Sequence, residues 1–292
     1  MLTAPPASPF EDGTVSRAPL TSVIIPCWNA LELTRVCLQR LVLRTTRAYE
    51  LIVIDNGSND GTGDWLEAFR RRALRENPHG TLRRFRIISN AKNLGYPASM
   101  NQGIRSARGG FLLFGNNDVA VTPLWLENMQ AALRPPRPPV GGVSPLSNPV
   151  RALEAPMSWG CRPLYRGIKS LERYAGAALL RRGRPVFIPV EEFLNGFWFL
   201  TRRSVIRKIG SFDERYGPGG FEDFDLQWRM RRAGYRLGFA GRSYVHHIGF
   251  GCSEVNGLKP REVYGAARRA ALLHDKFPET AAMPYSASPK IG

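Results

Sequence analysis

The densest group of acidic side chains in this sequence is Glu222, Asp223 and Asp225, three carboxylates within four positions. Like charges this close repel one another, and the aromatic residues around them would keep water away from some of them. Both effects raise the pKa of a carboxylate toward the range in which it can act as a general base. In the alternative interpretation, Glu222 and Asp225 only form helical ion pairs with Arg229 or Arg232.

Two further acids follow apolar segments. Asp55 directly follows the run 51–54, and Asp118 closes the turn that follows the run 111–114. A carboxylate at the end of a strand can accept a hydrogen bond from a ligand N–H, and it can also hold a hard divalent cation. The plainer interpretation of both residues is a polar turn, which sequences such as Asp-Asn-Gly favour.

Short apolar runs alternate with amphipathic segments up to about residue 120, and these elements must position the acids. The predicted elements, in chain order, are strand 22–26, helix 31–43, strand 51–54, a helix with its apolar face over 65–74, strand 85–89, helix 98–107 and strand 111–114. Runs that are apolar throughout suit parallel strands covered on both faces, so we predict an α/β fold with a doubly wound, mostly parallel sheet flanked by helices. Ligands of such sheets bind beyond the carboxyl ends of the strands.

The pattern is less regular in the second half of the sequence. The proline-rich run 135–139 is interpreted as a loop or a sheet edge, and the arginine-rich segment 162–184 as a helical or mobile insertion. Periodicity further predicts a strand over 196–201, a short helix over 204–209 and a terminal helix within 259–277.

Composition limits the class of protein. The formal net charge is +17, but only six of the 41 basic residues are lysine. This excess of arginine suggests a bias in the composition of the genome as much as a binding surface. No apolar run is long enough to span a bilayer, the N-terminus lacks the features of a signal peptide, and the four cysteines form no CxxC pair. These features predict a soluble protein of a reducing cytoplasm and leave open peripheral association with an anionic membrane surface.

Two other classes fit poorly. A Rossmann dehydrogenase needs a glycine-rich turn after the first strand, where this chain has Pro26-Cys-Trp-Asn-Ala30. A nucleic-acid-binding protein would explain the charge, but no zinc finger or comparable signature is present, so we expect no nucleic-acid partner. Salt-dependent retention on nucleic acid without a metal requirement would favour that alternative.

Four motifs together resemble those of the inverting nucleotide-sugar glycosyltransferases of family 2, which have the GT-A fold. In chain order they are Val23-Ile-Ile-Pro26-Cys-Trp-Asn29, Ile54-Asp55-Asn-Gly-Ser58, Asn93-Leu-Gly-Tyr-Pro-Ala-Ser-Met-Asn101 and Asn116-Asn-Asp118. The resemblance extends over about residues 20–255. Each motif alone is weak, whereas their order and spacing together are fairly specific.

The resemblance implies a nucleotide pocket at the ends of the first strands. In the family, the loop after the first strand lies against the nucleobase, the acid after the second strand binds the base, and the third motif packs near the base and ribose. Uracil and thymine offer an N3–H that Asp55 can accept, so donors of the UDP or dTDP type are favoured. The implied nucleotide-binding residues are Pro26, Asn29, Asp55, Asn93, Gly95 and Asn116.

The fourth motif occupies the place of the family's metal-binding DxD signature. The resemblance therefore implies that Asp118 binds Mn²⁺ or Mg²⁺, which neutralises charge on the departing diphosphate. Asn116 replaces the first acid of that signature, so it can contact ribose but contributes no charge. A histidine near Val245-His-His-Ile-Gly249 completes the metal shell in relatives. Adjacent strand residues face opposite ways, so at most one of His246 and His247 should reach the cation, and we favour His246. The alternative is a structural histidine.

The acidic cluster resembles the family motif in which the second acid deprotonates the acceptor. This implies Asp223 as the general base, with Glu222 as a second catalytic residue and the glycine-rich segment 216–220 as a flexible loop that could close over the donor. The implied partners are a nucleotide-sugar donor and a saccharide, lipid-linked or other hydroxyl acceptor, as in bacterial polysaccharide biosynthesis.

These inferences divide the chain into a disordered tail (1–19), one glycosyltransferase domain (20–255) and a C-terminal helix and tail (256–292). Within the domain, residues 20–120 are assigned to nucleotide binding and 121–255 to acceptor binding and catalysis. A non-catalytic domain that only binds nucleotide sugars is the remaining alternative, since it would need Asp55 and Asp118 but not Asp223.

Overall fold

The computed structural model of this protein describes residues 19–134, 138–147, 188–190, 193–247, 256 and 266–282. The predicted tail before residue 19, residues 135–137 of the proline-rich run and the arginine-rich segment 162–184 lie outside the described residues.

The first half alternates strands and helices as the periodicity predicts. Its elements are β1 (Thr21–Cys27), α1 (Leu31–Arg44), β2 (Tyr49–Asp55), α2 (Thr62–Glu76), β3 (Leu82–Ser89), α3 (Tyr96–Ser106) and β4 (Phe111–Gly115). The four strands are parallel and lie in the order β3-β2-β1-β4. All seven residues of β2 are buried, which explains why its segment 51–54 is apolar without alternation.

The second half extends the same sheet. Its elements are β5 (Val119–Val121), α4 (Trp125–Ala132), β6 (Val140–Ser147), β7 (Ile188–Val190), β8 (Trp198–Arg202), α5 (Arg203–Ile209), a 3₁₀ turn (Glu214–Tyr216), α6 (Glu222–Arg232), β9 (Arg236–His247), α7 (Ala266–Lys276) and a second 3₁₀ turn (Pro278–Ala282). The sheet continues from β4 through β8, β6, β9 and β5, and β7 pairs with β9. Strand β8 runs antiparallel to β4 and β6, whereas β6 and β9 are parallel, so this half of the sheet is mixed.

Helices cover both faces of the sheet, and each face has its own apolar core. On β1, Val23 and Ile25 belong to the core that includes side chains of α1, α2 and α4, whereas Ile24 belongs to the core that includes side chains of α3, α5 and α6. This confirms the doubly wound α/β fold. Helix α3 lies so close to β1 that a Cβ atom on Gly103 would come within 2.2 Å of the Ile24 side chain.

The strand register brings the polar loops to one edge of the sheet. Cys27 at the end of β1 lies beside Asp55 at the end of β2, and Asp55 lies beside Ser89 at the end of β3. The loops that follow these strands therefore meet, as predicted for parallel strands. Within the described part of the chain, no helix combines the length and apolar character that a membrane span requires.

Candidate active site

Asn29 joins the loops after β1 and β2. Its backbone N–H donates to Ser58 Oγ over 2.8 Å, and its side-chain Oδ1 accepts from the Asn59 N–H over 2.9 Å. Its Nδ2 donates to Asn256 Oδ1 over 2.7 Å, which ties the C-terminal part of the chain to this loop. Asn29 adopts a left-handed backbone conformation, with φ of 53°, which asparagine tolerates better than most residues. Pro26, at the end of β1, is half-buried.

Asp55 is buried at the carboxyl end of β2 and organises the turn that follows. Its Oδ1 accepts a hydrogen bond from the Ser58 N–H over 3.0 Å. A Cβ atom on Gly63 would lie 3.0 Å from the Asp55 Oδ2, so the start of α2 passes close to this carboxylate. The turn-forming role that Asp-Asn-Gly suggests is therefore present, and base recognition by the same residue remains a prediction.

Asn93 belongs to a network of side-chain amides between the loops after β2 and β3. Its Oδ1 accepts from Asn56 Nδ2 over 2.6 Å and from the Gly95 N–H over 2.9 Å. The Asn56 Oδ1 in turn accepts from Asn90 Nδ2 over 3.0 Å and from the Leu94 N–H over 3.0 Å. Asn93 and Gly95 were predicted from the sequence, whereas Asn56 and Asn90 were not, because their contribution depends on loops brought together by folding.

Gly95 is required where the glycine-rich loop 217–220 meets α3. Its φ is 87°, and an added Cβ atom would lie 2.4 Å from the carbonyl oxygen of Gly217. The Tyr96 N–H donates to the Pro218 carbonyl oxygen over 3.1 Å. The predicted flexible loop is thus held against the start of α3 in this structure.

Asp118 and His247 form the candidate metal site. Strand β5 pairs with β9 so that Val119 lies opposite His247, and His247 Nε2 lies 3.2 Å from Asp118 Oδ1. Both side chains are buried, and Asp118 Oδ1 accepts no hydrogen bond from the described residues. The sequence analysis favoured His246, but the strand alternation places His247 at Asp118. Burial and the neighbouring His247 lower the pKa of the half-buried His246 to about 4.

The acidic pair stands at the start of α6. Asp223 Oδ2 accepts from the Gly196 N–H over 3.1 Å, and its Oδ1 accepts from the Phe224 N–H over 3.0 Å. Gly196 has no room for a side chain, because a Cβ atom there would lie 2.7 Å from the Asp223 Oδ2. Sequence analysis interpreted Gly196 as the start of a strand, whereas β8 begins at Trp198 and Gly196 lies in the turn before it.

Electrostatics set the acidic pair apart from ordinary carboxylates. Burial raises the pKa of Glu222, and the adjacent Asp223 raises it further. Burial also raises the pKa of Asp223, against the opposing effect of the N–H groups that bind its carboxylate. Glu222 Oε2 is buried and has no hydrogen-bond partner among the described residues. Tyr96 is near both acids, since its pKa is raised by burial and then by the charges of Glu222 and Asp223.

Asp225 has the structural role that the alternative interpretation assigned to it. Arg229 Nε donates to its Oδ1 over 2.7 Å, and Tyr216 Oη donates to its Oδ2 over 3.2 Å. Lys276 Nζ also donates to Oδ2. This carboxylate therefore binds two cations directly. At Glu222 the charge of Arg269 opposes the rise in pKa, but burial and Asp223 outweigh it.

A short turn connects the metal candidates with the acidic pair. The carbonyl oxygen of Phe197 accepts from the N–H of the half-buried Asn116 over 2.9 Å, and the Phe197 ring stacks on His247 with 4.2 Å between centroids. The preceding residue, Gly196, donates to Asp223. Thus the turn Gly196–Phe197 contacts both candidate groups, although the described residues contain no cluster of three or more His, Cys, Asp or Glu side chains that could hold a metal.

Comparison with known proteins gives relatives with sequence similarity over most of this chain. Glycosyltransferase AglE of Haloferax volcanii is 28% identical over 230 residues, which are 77% of this chain and 66% of AglE. The uncharacterized protein y4gI of Sinorhizobium fredii is 29% identical over 241 residues, which are 78% of this chain but only 24% of y4gI. The chain thus spans less than two thirds of each of these curated relatives.

Solved structures share the fold at low sequence identity, and the sequence itself matches a family model. The mannosyltransferase PcManGT of Pyrobaculum calidifontis, in complex with GDP-Man and Mn²⁺, superposes with a TM-score of 0.57 at 17% identity, covering 93% of this chain and 83% of PcManGT. This likeness confirms the GT-A type of α/β fold. The family model of glycosyl transferase family 2 matches residues 22–210, more than half of the chain, and the protein belongs to that family.

Proposed function

We propose that this protein transfers a sugar from a nucleoside diphosphate sugar to an acceptor hydroxyl, with inversion at the anomeric carbon. The observation that carries the proposal is the turn Gly196–Phe197, which contacts Asp223 on one side and the Asp118–His247 pair on the other. In a single displacement, the base that deprotonates the acceptor and the group that stabilises the leaving diphosphate must lie on opposite sides of the anomeric carbon. This turn supports such an arrangement.

Asp223 is the general base in this proposal. Its raised pKa makes it a stronger base than an ordinary aspartate, while N–H donors on both oxygens fix its orientation. As the acceptor oxygen attacks, Asp223 takes its proton, the new glycosidic bond forms and the bond to the diphosphate breaks. A single displacement of this kind inverts the anomeric carbon. Asp223 in turn raises the pKa of the adjacent Glu222 beyond the effect of burial, since two negative charges this close repel.

The residues Asp118 and His247 fit a divalent cation. The buried Oδ1 of Asp118 accepts no hydrogen bond from the described residues, although His247 Nε2 lies 3.2 Å away, and a cation bound by both atoms would account for this arrangement. Two ligand atoms that lie 3.2 Å apart are at the separation of neighbouring ligands in an octahedral shell, about 3 Å for metal–ligand bonds of about 2.1 Å. A bound Mn²⁺ or Mg²⁺ would neutralise the charge that develops on the leaving diphosphate. PcManGT was solved with Mn²⁺, which supports this proposal.

The loops after β1, β2 and β3 form the proposed nucleotide pocket. Asn29, Asn56 and Asn93 hold these loops together, and Asp55 stands where they meet. We favour a uracil or thymine base, because Asp55 can accept the N3–H of either. In this assignment residues 20–120 bind the donor and 121–255 bind the acceptor, which is a saccharide, a lipid-linked sugar or another hydroxyl compound.

A screen of nucleotide sugars tests the proposal. Purified protein is incubated with UDP-, dTDP- and GDP-sugars, with Mn²⁺, Mg²⁺ or chelator, and a panel of sugar and lipid-linked acceptors. We expect release of the nucleoside diphosphate that depends on both metal and acceptor, and a product whose anomeric configuration, read by NMR, is opposite to that of the donor. Retention of configuration would refute the single displacement, and binding without any transfer would favour a non-catalytic domain.

A further inference from the structure

The C-terminal helix α7 reaches the helix that presents the acidic pair. Lys276, in the last turn of α7, donates to Asp225 Oδ2 and, over 2.8 Å, to Asp213 Oδ2. The Lys276 side chain is 21% exposed and its ammonium lies 5.7 Å from the centre of the Tyr216 ring. Helix α7 lies beyond residue 210, where the match to the family model ends.

Asp225 is the point at which several elements meet. Its side chain is fully buried, and it binds Arg229 of its own helix, Tyr216 of the 3₁₀ turn and Lys276 of α7. A buried carboxylate is tolerated only when cations and hydrogen-bond donors surround it. The Arg229 side chain also donates to the carbonyl oxygens of residues 209, 210 and 211, so it is held in place by the segment after α5.

The residue before the acidic pair has a strained backbone. Phe221 has a φ of 72°, a conformation that costs a bulky side chain of the order of 1 kcal/mol or more and persists only where the surroundings enforce it. The Asp225 N–H donates to the Phe221 carbonyl oxygen over 2.9 Å and closes the first turn of α6. Glu222 and Asp223 lie inside this turn, between the strained residue and the fixed Asp225.

We propose that Lys276 is a positioning residue, which acts through Asp225 to hold the first turn of α6 so that Asp223 faces the acceptor. The proposal rests on the proposed function, in which Asp223 is the base. It gives the C-terminal helix a part in catalysis through Asp225 and Asp213, the two carboxylates to which Lys276 donates. Without this ammonium, Asp225 and Asp213 lose a shared cation, and the turn between Phe221 and Asp225 is free to relax.

The test compares three substitutions in the full chain. Lys276→Met removes the charge and keeps much of the apolar stem, Lys276→Arg keeps the charge, and Glu279→Ala is the matched control. Exposed Glu279 accepts from Trp228 Nε1 over 3.2 Å at the same junction between α6 and the C-terminal segment, but it does not contact Asp225. For each protein, kcat and KM for transfer, donor affinity by calorimetry and the melting temperature are measured.

We expect Lys276→Met to lower kcat about 10- to 100-fold, the cost of a small misplacement of a catalytic group, with donor affinity within about twofold of wild type. Lys276→Arg should recover most of kcat, and Glu279→Ala should leave kcat unchanged. Should Lys276→Met not fold, Lys276→Gln, which keeps one N–H donor toward Asp225, is expected to show the same selective loss of kcat.

Unchanged kcat in a folded Lys276→Met or Lys276→Gln protein would overturn the proposal. So would a parallel loss of donor affinity and kcat, or an equal loss in Glu279→Ala, because either would show only a general effect on folding. Failure of the proposed function is recognised separately, since wild-type protein would then transfer no sugar, or Asp223→Asn would transfer at the wild-type rate.

Discussion

In the loops after β2 and β3, side-chain amides pair with one another or with backbone N–H groups, whereas at the start of α6 a buried carboxylate oxygen has no hydrogen-bond partner among the described residues. Around Asn56 and Asn93, each side-chain amide binds another amide or a backbone N–H, and the loops hold one another in place. At the start of α6, Glu222 Oε2 is buried without a hydrogen-bond partner among the described residues, and the pKa of Glu222 is raised. Asp118 Oδ1 is likewise buried and accepts no hydrogen bond from the described residues, although His247 Nε2 lies 3.2 Å away.

This difference indicates which residues hold the site together and which are available to react or to bind a ligand. Satisfied amides stabilise a rigid pocket, whereas a buried carboxylate oxygen without a donor destabilises the fold unless a ligand or a proton completes it. Asp225 is the counterexample on the same helix. This acid lies two positions after Asp223, and it forms ion pairs with Arg229 and Lys276. Asp223 belongs with these acids through its raised pKa, although each of its oxygens accepts one backbone N–H. The following predictions test whether Asp223 and Asp118 act in catalysis while the loops after β1, β2 and β3 only bind.

The largest expected effect is that of Asp223→Asn. The substitution keeps the shape of the side chain and removes its basicity, so kcat for transfer should fall by about 10² to 10⁴, the usual contribution of a general base. Donor and metal affinity should persist. The measurements are transfer rate, nucleotide affinity and melting temperature. Melting temperature is needed because an asparagine side chain has a single acceptor oxygen, so it can accept from the N–H of Gly196 or of Phe224 but not from both, and some stability will be lost.

Two outcomes would change this assignment. Glu222→Gln should be milder if Glu222 only shapes the site, so near-normal transfer by Asp223→Asn with none by Glu222→Gln would move the base to Glu222. The pH profile is a further control. The base works only when deprotonated, and its pKa is raised by burial, so wild-type kcat should fall as the pH decreases through a value above the ordinary aspartate range. Residual activity of Asp223→Asn should lack this acid limb.

The next largest effect concerns the loops after β1, β2 and β3. Asp55→Ala should weaken nucleotide binding there by about 1.5 to 3 kcal/mol, as expected for a charged hydrogen bond. The turn bond from the Ser58 N–H to Asp55 is lost as well, so melting temperature must be measured alongside calorimetry. Asp55→Asn is the matched variant, because its Oδ1 can still accept from Ser58. Unchanged affinity in both folded variants would limit Asp55 to turn formation.

The free energy of coupling between metal and nucleotide binding should be comparable to the effect of Asp55→Ala or smaller. Asp118 and one histidine are too few ligands for a divalent cation, so the diphosphate oxygens must complete the shell and the two ligands should bind cooperatively. We expect Mn²⁺ to tighten nucleoside diphosphate binding by about 5- to 150-fold in wild type and to have little effect in Asp118→Asn. Equal affinity with Mn²⁺ and with chelator would refute the metal role of Asp118.

Sequence periodicity was sufficient for the parallel half of the sheet because its central strands contain short apolar runs covered on both faces, 23–25 in β1 and 51–54 in β2. It could not predict the turn at Gly196. A glycine there looks like the start of strand β8, and its necessity becomes visible only when α6 brings Asp223 within 2.7 Å of the space a Cβ atom would fill. The contact joins residues 27 positions apart, which no local pattern encodes.

The same limit applies to the charged side chains of the second half. The sequence analysis could pair Asp225 with Arg229 because helical residues four apart are neighbours, and that pair is present. Its partner Lys276 lies 51 positions later and is joined to it only by tertiary packing. Alternation along β9 indicated that only one of two adjacent histidines could meet Asp118, but the choice between them depended on the register with β5, which sequence alone does not determine.

The smallest expected effect is that of substitutions at the two histidines of β9, and these substitutions also test the register between β9 and β5. His247 lies opposite Val119 and 3.2 Å from Asp118, whereas His246 lies opposite Ala120 on the other side of the strand. We expect His247→Gln to reduce the Mn²⁺-dependent gain in nucleotide affinity, and His246→Gln to change it by less than about 0.5 kcal/mol, as for a residue away from the site. Calorimetry with and without Mn²⁺ measures both, and melting temperature corrects for the lost stacking of His247 on Phe197. If His246→Gln abolished the gain and His247→Gln preserved it, β9 in the donor-bound protein would pair with β5 in a different register, one that places His246 at Asp118.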